Sequence, residues 1–382
     1  MNFSLDEEQV MLKTSARNFL EKECPKRLVR DMAESKQGYS PDLWKKMAEL
    51  GWMGLVFPEE YGGVGSTFLD LAVLLEEMGR ALLPGPFVPT VVLVGRPILA
   101  AGTQPQKRRF IPGIADGSLM ATLAFLEPSA WLGASGINVR ATASGKDFVI
   151  NGTKLFVPDT HVADYILCVT RTGDRAGKED GISLFLVDAR TKGVRVEVLK
   201  TLTGEKLCEV EFSNVAVPRS NMLGDLDQGW PIVQRILDEA AVAECAWMTG
   251  GAQWVLETTV NYAKERMAFG QPIGAFQAVA HRCANMAIEV EGAISITQYA
   301  AWAISENDPE ASVTASAAKA WCSEMYKHVA GDGIQVHGAV GFTADHDLNL
   351  YFKRAKTSEI AFGDGRHHRE RVAAYITSEG IS

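Results

Sequence analysis

Two segments in the second half of the chain carry residue types that suit binding of a dinucleotide. They are residues 266–277 and 335–342, where glycines interrupt a helical pattern. The residues singled out are Arg266, Phe269 and Gln277 in the first segment, and Gln335, His337 and Gly338 in the second. A guanidinium, an aromatic ring and backbone that a ligand can approach closely suit a pyrophosphate-linked dinucleotide. No G-x-G-x-x-G follows a predicted strand, so the sequence disfavours a Rossmann-type nicotinamide site.

Length, charge and cysteine usage exclude several classes of function. The 382 residues suffice for two or three domains with a large core. The net charge of −9 disfavours a nucleic-acid partner, because such binding depends on neutralising phosphates. No apolar stretch reaches the roughly 18 residues of a membrane span, and the first residues lack the form of a signal peptide. The six cysteines include no C-x-x-C pair, which predicts reduced thiols in a cytoplasmic protein, without a disulfide framework or a metal site.

The elements expected to position these residues change type twice along the chain. Residues 1–118 have helical periodicity, including a helix that begins at Pro41 with Ser40 as its cap. Residues 119–222 contain short strands, and helical periodicity returns in 223–382. We therefore predict three domains with these bounds in an α+β arrangement: an N-terminal helical domain, a middle antiparallel β-barrel and a C-terminal four-helix bundle. The bundle helices are expected at residues 230–265, 275–305, 309–338 and 346–378.

One local prediction in the middle domain concerns residues 148–157. Asn151-Gly152 is a favoured two-residue turn, and β-branched and aromatic residues flank it. The segment is therefore predicted to form a hairpin of two strands. Further short strands are expected at residues 165–170, 182–187, 194–199 and 209–217.

From residue 4 to residue 376 the chain resembles the acyl-CoA dehydrogenase family of flavoproteins. The resemblance rests on the motif from Arg266 to Gln271 and on residues 335–341, where Ala339 replaces the second glycine of the family's loop. It implies FAD as the cofactor, an acyl-CoA substrate and an electron-transferring flavoprotein as the acceptor. In the family the matching arginine reaches the FAD pyrophosphate of a neighbouring subunit. The resemblance therefore implies an oligomer, usually a homotetramer built as a dimer of dimers, with a hetero-oligomer as the alternative.

The resemblance assigns the flavin ring to the middle domain. Residues 126–128 retain the family's Glu-Pro, and Phe156-Val157-Pro158 stands where relatives carry Trp-Ile-Thr or Trp-Ile-Ser. Phe156 can stack on a flavin face, unless it is an ordinary core aromatic. Pro158 offers the ring neither an N–H nor a hydroxyl. The residues expected to line this part of the cofactor site are Phe125, Leu126, Ser135, Phe156, Val157 and Pro158.

The sequence offers three candidates for the catalytic base. Taking the α-proton of an acyl thioester needs a carboxylate in a desolvated site. One branch of the family carries this glutamate near the C-terminus, where this chain has Phe362 and, two residues later, Asp364. Another branch carries it on the first bundle helix, at the position of Ala240. Glu244 follows Ala240 by one turn on nearly the same face, in an apolar stretch. The candidate bases are therefore Glu244, then Asp364, then Glu239, which is the neighbour of Ala240.

Each of these residues also has a structural interpretation. Glu244 could form a salt bridge between helices, and Asp364 could make a structural hydrogen bond or, with Arg366, contact the cofactor. Residues 366–369 contain two histidines and two arginines, but consecutive positions of a helix point in different directions. No metal site is predicted there.

The sequence thus predicts FAD-dependent α,β-dehydrogenation of an acyl-CoA thioester to the 2-enoyl-CoA. A carboxylate takes the α-proton and flavin N5 receives the β-hydride, as the resemblance implies. A cyclic, branched or aromatic acyl chain is one possibility. Two alternatives remain: a flavoenzyme of the same fold with desulfinase-like or monooxygenase-like chemistry, and a flavin-binding subunit of a hetero-oligomeric acyl-CoA dehydrogenase.

Overall fold

The computed structural model describes residues 5–173 and 179–378, which divide into two compact units. The helical unit contains Met1–Val29, Phe68–Leu83 and Ala241–Ser382, and the β unit contains Arg30–Thr67 and Pro84–Ala240. The predicted domain bounds at 118/119 and 222/223 stay a prediction.

The helices are numbered along the chain, and their residues alternate between the two units. They are α1 Glu7–Glu23, α2 Lys26–Glu34, α3 Pro41–Glu49, α4 Phe68–Ala81, α5 Phe87–Thr90, α6 Arg96–Ala101, α7 Gln104–Ala115, α8 Trp230–Glu265, α9 Gln277–Ser305, α10 Ala311–His337, α11 Ala339–Phe342, α12 Leu348–Ile360 and α13 Gly365–Ser378. Ser40 caps α3 as predicted, because its hydroxyl accepts the Leu43 N–H. At α1 the capping box is Asp6 with Gln9.

The helical unit agrees with most of the predicted C-terminal helices. Helices α8, α9 and α10 follow three of the predicted segments within a few residues. The fourth segment is two helices, α12 and α13, because Phe362 and Gly363 have positive φ angles of 55° and 105° that no helix continues through. Helices α4 and α8 pack with their backbones in close contact, since a methyl group on Gly79 would lie 2.1 Å from the Trp247 carbonyl oxygen.

The β unit is built around one mixed sheet. Its strands are β1 Ala121–Ala124, β2 Arg140–Ser144, β3 Asp147–Pro158, β4 Tyr165–Arg171, β5 Ile182–Asp188, β6 Val194–Val198, β7 Leu207–Val217 and β8 Met222–Leu223. They are ordered β6-β7-β3-β2-β4-β5-β8, and β1 pairs with β4 in parallel. Buried apolar side chains, among them Ile150, Phe185 and Phe212, form its core.

The fold class is confirmed, but the middle domain is not a closed antiparallel barrel. Among the described residues the end strands β6 and β8 do not pair with each other. Strand β8 has only two residues, which pair with β5, so it offers too short an edge for closure. The β1–β4 pair is parallel, which makes the sheet mixed.

The predicted hairpin at Asn151-Gly152 is wrong. Residues 147–158 form a single strand, β3, which runs antiparallel to β7. The pairing shifts register between Ile150 and Gly152, where Gly152 has a φ of 134°. A glycine in that conformation accommodates a bulge inside a strand, whereas a two-residue hairpin turn needs a φ near +60°.

Candidate functional site

Phe156 is presented by a second irregularity of β3. The pairing with β7 shifts between Lys154 and Val157, and Phe156 lies at this bulge with a φ of 54°. Its side chain is 46% exposed, whereas the next side chain, Val157, is buried. A left-handed conformation costs a bulky residue about 1–3 kcal/mol, and such strain concentrates at functional positions. An exposed ring held in this way is available to stack on a planar ligand.

A buried ion pair supports the loop beside Phe156. Lys154 is fully buried, and its Nζ donates to Glu127 Oε1 at 2.8 Å and to the Phe125 carbonyl at 2.9 Å. The Glu127 carboxylate also accepts the backbone N–H groups of Asn138, at 2.8 and 2.9 Å, and Val139, at 3.0 Å. Burial lowers the pKa of Lys154, and the attraction of Glu127 opposes this. Breaking such a pair leaves an uncompensated buried charge, so the two ends of the 125–139 loop are firmly joined to β3.

The structure brings most of the predicted flavin-ring residues together in the β unit. The Leu126 carbonyl accepts the Leu155 N–H at 2.9 Å, which places Leu126 next to Phe156 along β3. Phe125 and Val157 are buried, so they support the site by packing in the core and do not line it with exposed side chains. The Pro158 carbonyl accepts the Thr122 hydroxyl at 2.5 Å. Ser135 is exposed in a short 3-10 turn, Ala134–Gly136.

That turn is fixed from within the β unit. Arg171 Nη2 donates to the Ala134 carbonyl at 2.6 Å, and its Nε donates to the Ile137 carbonyl at 2.8 Å. Arg171 is only 3% exposed. Neither Arg171 nor the Glu127–Lys154 pair was singled out from the sequence as a site residue. The signal in the sequence was Lys154 inside a predicted strand, since a lysine is seldom buried unless it is paired.

In the helical unit, Arg266 and Phe269 belong to a tight hairpin. Strands β9 Met267–Ala268 and β10 Gln271–Pro272 pair antiparallel, and the turn between them is Phe269-Gly270 with φ angles of 53° and 80°. Phe269 is 96% exposed at its tip. The Arg266 guanidinium is also exposed and has no hydrogen bond or ion pair within residues 5–173 and 179–378. A free guanidinium is a suitable donor to a phosphate.

The end of α10 lies against the end of α8, near this hairpin. The His337 ring stacks on Tyr262 with 4.2 Å between ring centroids, and the Tyr262 carbonyl accepts the Arg266 N–H at 2.9 Å. Gly338 ends α10 with a φ of 65° and is exposed, as is Gln335. The Phe276 ring makes an edge contact with Phe269, and the next residue, Gln277, begins α9 with an exposed side chain.

The His337 side chain is buried, in contrast to the exposed Gln335 and Gly338. It is 4% exposed, and its Nδ1 lies 2.8 Å from the Gly333 carbonyl oxygen. Burial lowers the pKa of His337. The imidazole is part of the packing between α8 and α10, so a direct contact with a cofactor through this ring is not favoured.

The three candidate bases have different environments. Glu239, in the β unit, is 3% exposed, and its carboxylate accepts two N–H groups of Arg96, at 2.7 and 2.9 Å, and Arg235 Nε at 2.9 Å. Asp364 is exposed and accepts the His367 N–H at 2.8 Å, which caps α13. Glu244 is half-buried on α8 between the buried side chains of Ala243 and Cys245.

The charges of two of these carboxylates act on Lys319. It is fully buried on α10, where burial lowers its pKa and where Glu244 and Asp364 are among the groups that oppose this. Lys319 is not among the residues predicted from the sequence. The signal in the sequence was a lysine within a run of small residues, at positions 315–320 of a predicted bundle helix.

The remaining candidates lie on α13. Arg366 is exposed, and its Nε donates to Glu370 at 3.0 Å in an i,i+4 pair. His368 is buried and has a pKa lowered to about 3, first by burial and then by the charge of Lys319. Across the part of the chain that the structure describes, no group of three or more His, Cys, Asp or Glu side chains could hold a metal ion. Within the same residues, no helix is long and apolar enough to cross a membrane.

Comparison with known proteins identifies the family. Residues 6–118, 122–215 and 227–377 match the models of the N-terminal, middle and C-terminal domains of acyl-CoA dehydrogenases. The probable acyl-CoA dehydrogenase YngJ of Bacillus subtilis (strain 168) is 31% identical over 381 residues, which cover 98% of this chain and 100% of that protein.

Solved structures agree over the whole length. Butyryl-CoA dehydrogenase from Megasphaera elsdenii superposes with a TM-score of 0.93 at 26% identity, covering 99% of this chain and 100% of that chain. A chain in a structure described as an electron transferring flavoprotein of Acidaminococcus fermentans superposes with a TM-score of 0.92 at 30% identity, covering 98% and 99%. Fold and site together define an FAD-containing oxidoreductase that acts on acyl-CoA. The chain belongs to the acyl-CoA dehydrogenase family.

The residues present fit the cofactor of this family. The β unit offers the exposed, strained ring of Phe156 beside the 126–135 loop. The helical unit offers the free guanidinium of Arg266 and the open backbone at Gly338, where a Cβ would meet nothing within 4 Å. An isoalloxazine ring and a pyrophosphate require these two kinds of group, an apolar face and a cation with accessible backbone.

Proposed function

We propose that this protein catalyses α,β-dehydrogenation of an acyl-CoA thioester to the 2-enoyl-CoA, with Glu244 as the base that takes the α-proton. The observation that carries the proposal is the contrast among the three carboxylates. Glu239 has both oxygens bound by arginines, and Asp364 caps a helix in an exposed position. Glu244 is half-buried among apolar side chains, which is the environment that a general base for a weakly acidic carbon needs.

The chain's own residues bind and orient the reactants in this proposal. Arg266 binds the pyrophosphate of FAD, and Phe156 stacks on the flavin ring. When bound, FAD supplies the acceptor for the hydride from the substrate's β-carbon. Apolar side chains around Glu244, including Trp247 one turn later, exclude water from the carboxylate. The indole Nε1 of Trp247 is buried without a hydrogen bond partner among the described residues, so it can donate to a bound acyl group.

The deciding experiment compares Glu244→Gln with Asp364→Asn. Glu244→Gln keeps the side-chain volume and removes the base, so FAD content should stay normal. The rate of flavin reduction by an acyl-CoA should fall by about two or more orders of magnitude. A wild-type rate in Glu244→Gln together with a large loss in Asp364→Asn would falsify the assignment of Glu244 and move the base to the C-terminal turn.

The partners form a second part of the proposal. We propose an electron-transferring flavoprotein as acceptor, and the structural similarity to a chain in a structure described as such a flavoprotein supports it.

We also propose a homotetramer, supported by apolar side chains that remain exposed in the helical unit. These are Phe269 at 96%, Ile288 at 70% and Phe342 at 68%. The six cysteines are free thiols, which supports a reducing compartment such as the cytoplasm.

The mass and spectrum of the purified protein separate this proposal from its alternatives. A tetramer of one chain, with flavin that bleaches on addition of an acyl-CoA, supports the homomeric dehydrogenase. Flavin at full occupancy that no acyl-CoA bleaches supports desulfinase-like or monooxygenase-like chemistry. Little flavin until another subunit is added supports a hetero-oligomer. A panel of linear, branched, cyclic and aromatic acyl-CoAs identifies the acyl group in the same assay.

A further inference from the structure

Lys319 is held at the centre of the helical unit by four oxygen atoms. Its side chain has no exposed surface. Its Nζ donates to Ser323 Oγ at 2.9 Å and to the carbonyl oxygens of Ser358, Glu359 and Gly363 at 3.0, 3.1 and 2.9 Å. Three of these acceptors are carbonyls, which can only accept, and an ammonium has three N–H groups to donate. The geometry therefore suits the protonated, positively charged form.

The three carbonyls belong to one short stretch of chain. Ser358 and Glu359 lie in the last turn of α12, where carbonyl groups have no partner within the helix, and a cation is favourable there. Gly363 lies in the 361–364 turn between α12 and α13. This turn contains Phe362, whose φ of 55° is strained, and His368 Nε2 lies 3.0 Å from the Phe362 carbonyl oxygen. Lys319 and His368 thus contact the carbonyl groups of two successive residues of the turn, Gly363 and Phe362.

Charged and titratable groups surround the ammonium on several helices. Burial lowers the pKa of Lys319, and four neighbouring groups oppose this. They are Cys245 and Glu244 on α8, Cys322 on α10 and Asp364 in the turn. On α13, burial lowers the pKa of His367 and His368, and the charge of the ammonium adds to this effect. Trp247 lies one turn beyond Glu244 on α8. Arg354 on α12 lies over the Trp247 ring, 5.6 Å from the ring centroid. Helices α8 and α10 are in close contact, since a Cβ on Gly251 would lie 2.4 Å from Tyr326 Oη.

We propose that Lys319 is a positioning residue for the acyl-CoA reaction: its ammonium holds the 361–364 turn in place and supplies the positive charge that keeps the Glu244 carboxylate ionised. The inference rests on the proposed function, because the second half requires Glu244 to be the base. A base must be deprotonated to accept the α-proton, and a nearby positive charge favours the deprotonated carboxylate. Lys319 itself touches neither substrate nor cofactor in this account.

Two substitutions separate the two halves of the proposal. Lys319→Met removes both the charge and the N–H donors. Lys319→Gln removes the charge but keeps two N–H donors for the carbonyls. The matched control is Lys327→Met, on the same helix, because Lys327 forms an ion pair with Glu359 at 2.7 Å and is 35% exposed. Each protein is prepared with FAD bound.

The first measurement is amide hydrogen exchange of a peptide that covers residues 358–366. Lys319→Met should accelerate exchange in this peptide about tenfold or more, because the turn opens more often. Lys319→Gln should cause a smaller acceleration. Exchange in peptides from the β unit should be unchanged. Wild-type exchange in the Lys319→Met turn overturns the positioning role, whether or not the variant is active.

The second measurement is the pH dependence of the flavin reduction rate by an acyl-CoA. Both Lys319 variants should shift the midpoint of the acid limb to higher pH by about one unit or more. Lys327→Met should leave the midpoint in place. An unshifted midpoint in Lys319→Gln overturns the electrostatic half, and if Lys319→Met does not fold, Lys319→Gln decides alone. If no acyl-CoA reduces the wild-type flavin, the proposed function fails and the electrostatic half with it, while hydrogen exchange still decides the positioning half.

Discussion

At the scale of single residues, the most informative feature is Phe156, an exposed aromatic residue in a left-handed conformation. The strained backbone opposes stability, so we propose that the exposed ring is held there for a function other than packing. Glycine adopts a positive φ without strain, whereas alanine does not.

We therefore expect Phe156→Gly and Phe156→Ala to differ in stability but to have the same effect on flavin binding. Phe156→Gly should raise the free energy of unfolding of the apoprotein relative to Phe156→Ala by about 1 kcal/mol. Both variants should bind FAD more weakly and shift its absorption spectrum, because the stacking partner is lost. Urea unfolding and FAD titration provide the two measurements. A wild-type spectrum and affinity in both would mean that Phe156 has no contact with the flavin.

Glu239 illustrates a carboxylate whose task is structural. It is 3% exposed and joined to Arg96 on α6 and Arg235 on α8. We expect Glu239→Gln to lower the free energy of unfolding by about 3 kcal/mol, because it removes the negative charge from a buried ion pair with Arg96. The rate of flavin reduction per bound FAD should stay within about twofold of the wild type.

The control for this prediction is a surface pair. Glu324→Gln removes the partner of Arg369, and both side chains of that pair are about half exposed. Glu324→Gln should lower the free energy of unfolding by less than about 1 kcal/mol. A Glu239→Gln enzyme of normal stability that no longer reduces its flavin would contradict the structural assignment.

At the scale of elements, the junction of α12 and α13 responds to pH. His368 is 1% exposed, and its pKa is lowered from 6.5 to about 3, first by burial and then by the charge of Lys319. As the pH falls, the unfolded chain therefore binds a proton on His368 before the folded chain does. The stability that neutral His368 contributes is complete above about pH 6.5 and is lost progressively as the pH falls toward 3.

We expect this to appear as a difference between wild type and His368→Gln. Wild-type stability should fall between pH 6.5 and 4 more steeply than that of the variant, by up to about 1.4 kcal/mol for each pH unit. Urea unfolding at a series of pH values measures the two slopes. His328→Gln, which removes a histidine whose side chain is 59% exposed, should keep the wild-type slope. Parallel slopes for wild type and His368→Gln would show that His368 is as easily protonated in the folded protein as in the unfolded chain.

At the scale of the whole molecule, cofactor binding and folding are linked. FAD stabilises the folded protein according to its occupancy, by about 2.7 kcal/mol at a concentration one hundred times its Kd. The Arg266 side chain has no hydrogen bond or ion pair among the described residues. Its removal should therefore lower the free energy of unfolding of the apoprotein by less than about 0.5 kcal/mol.

Arg266→Ala should thus melt like the wild type without FAD and lose most of the FAD-dependent rise in Tm. Thermal unfolding with and without a fixed concentration of FAD measures both effects. Arg369→Ala, which removes another exposed arginine of the helical unit, should retain the full rise in Tm. An undiminished rise in Arg266→Ala would exclude this guanidinium from the pyrophosphate site.

The fold class, the family and most of the helices could be predicted from the amino-acid sequence. Local periodicity and capping residues define a helix without reference to distant parts of the chain, which is why α3 begins at its predicted cap, Ser40. The residue types around Arg266 suit a dinucleotide, because a pyrophosphate requires a cation and open backbone, and the resemblance to the family specifies that this dinucleotide is FAD. Sequence also named Glu244, Asp364 and Glu239 as the carboxylates to compare.

Only the tertiary structure distinguished among those carboxylates and found their neighbours. Arg96 donates a hydrogen bond to Glu239, and the charges of Lys319 and Glu244 act on each other. Both partners come from positions far along the chain, and no local pattern records such an interaction. Contacts with a distant segment also decide the conformation of β3. Its pairing with β7 overrides the turn preference of Asn151-Gly152, so these two residues form a bulge in the strand and not a turn. The sequence therefore predicts which groups the site can use, whereas packing between distant segments decides which of them are buried and which are exposed.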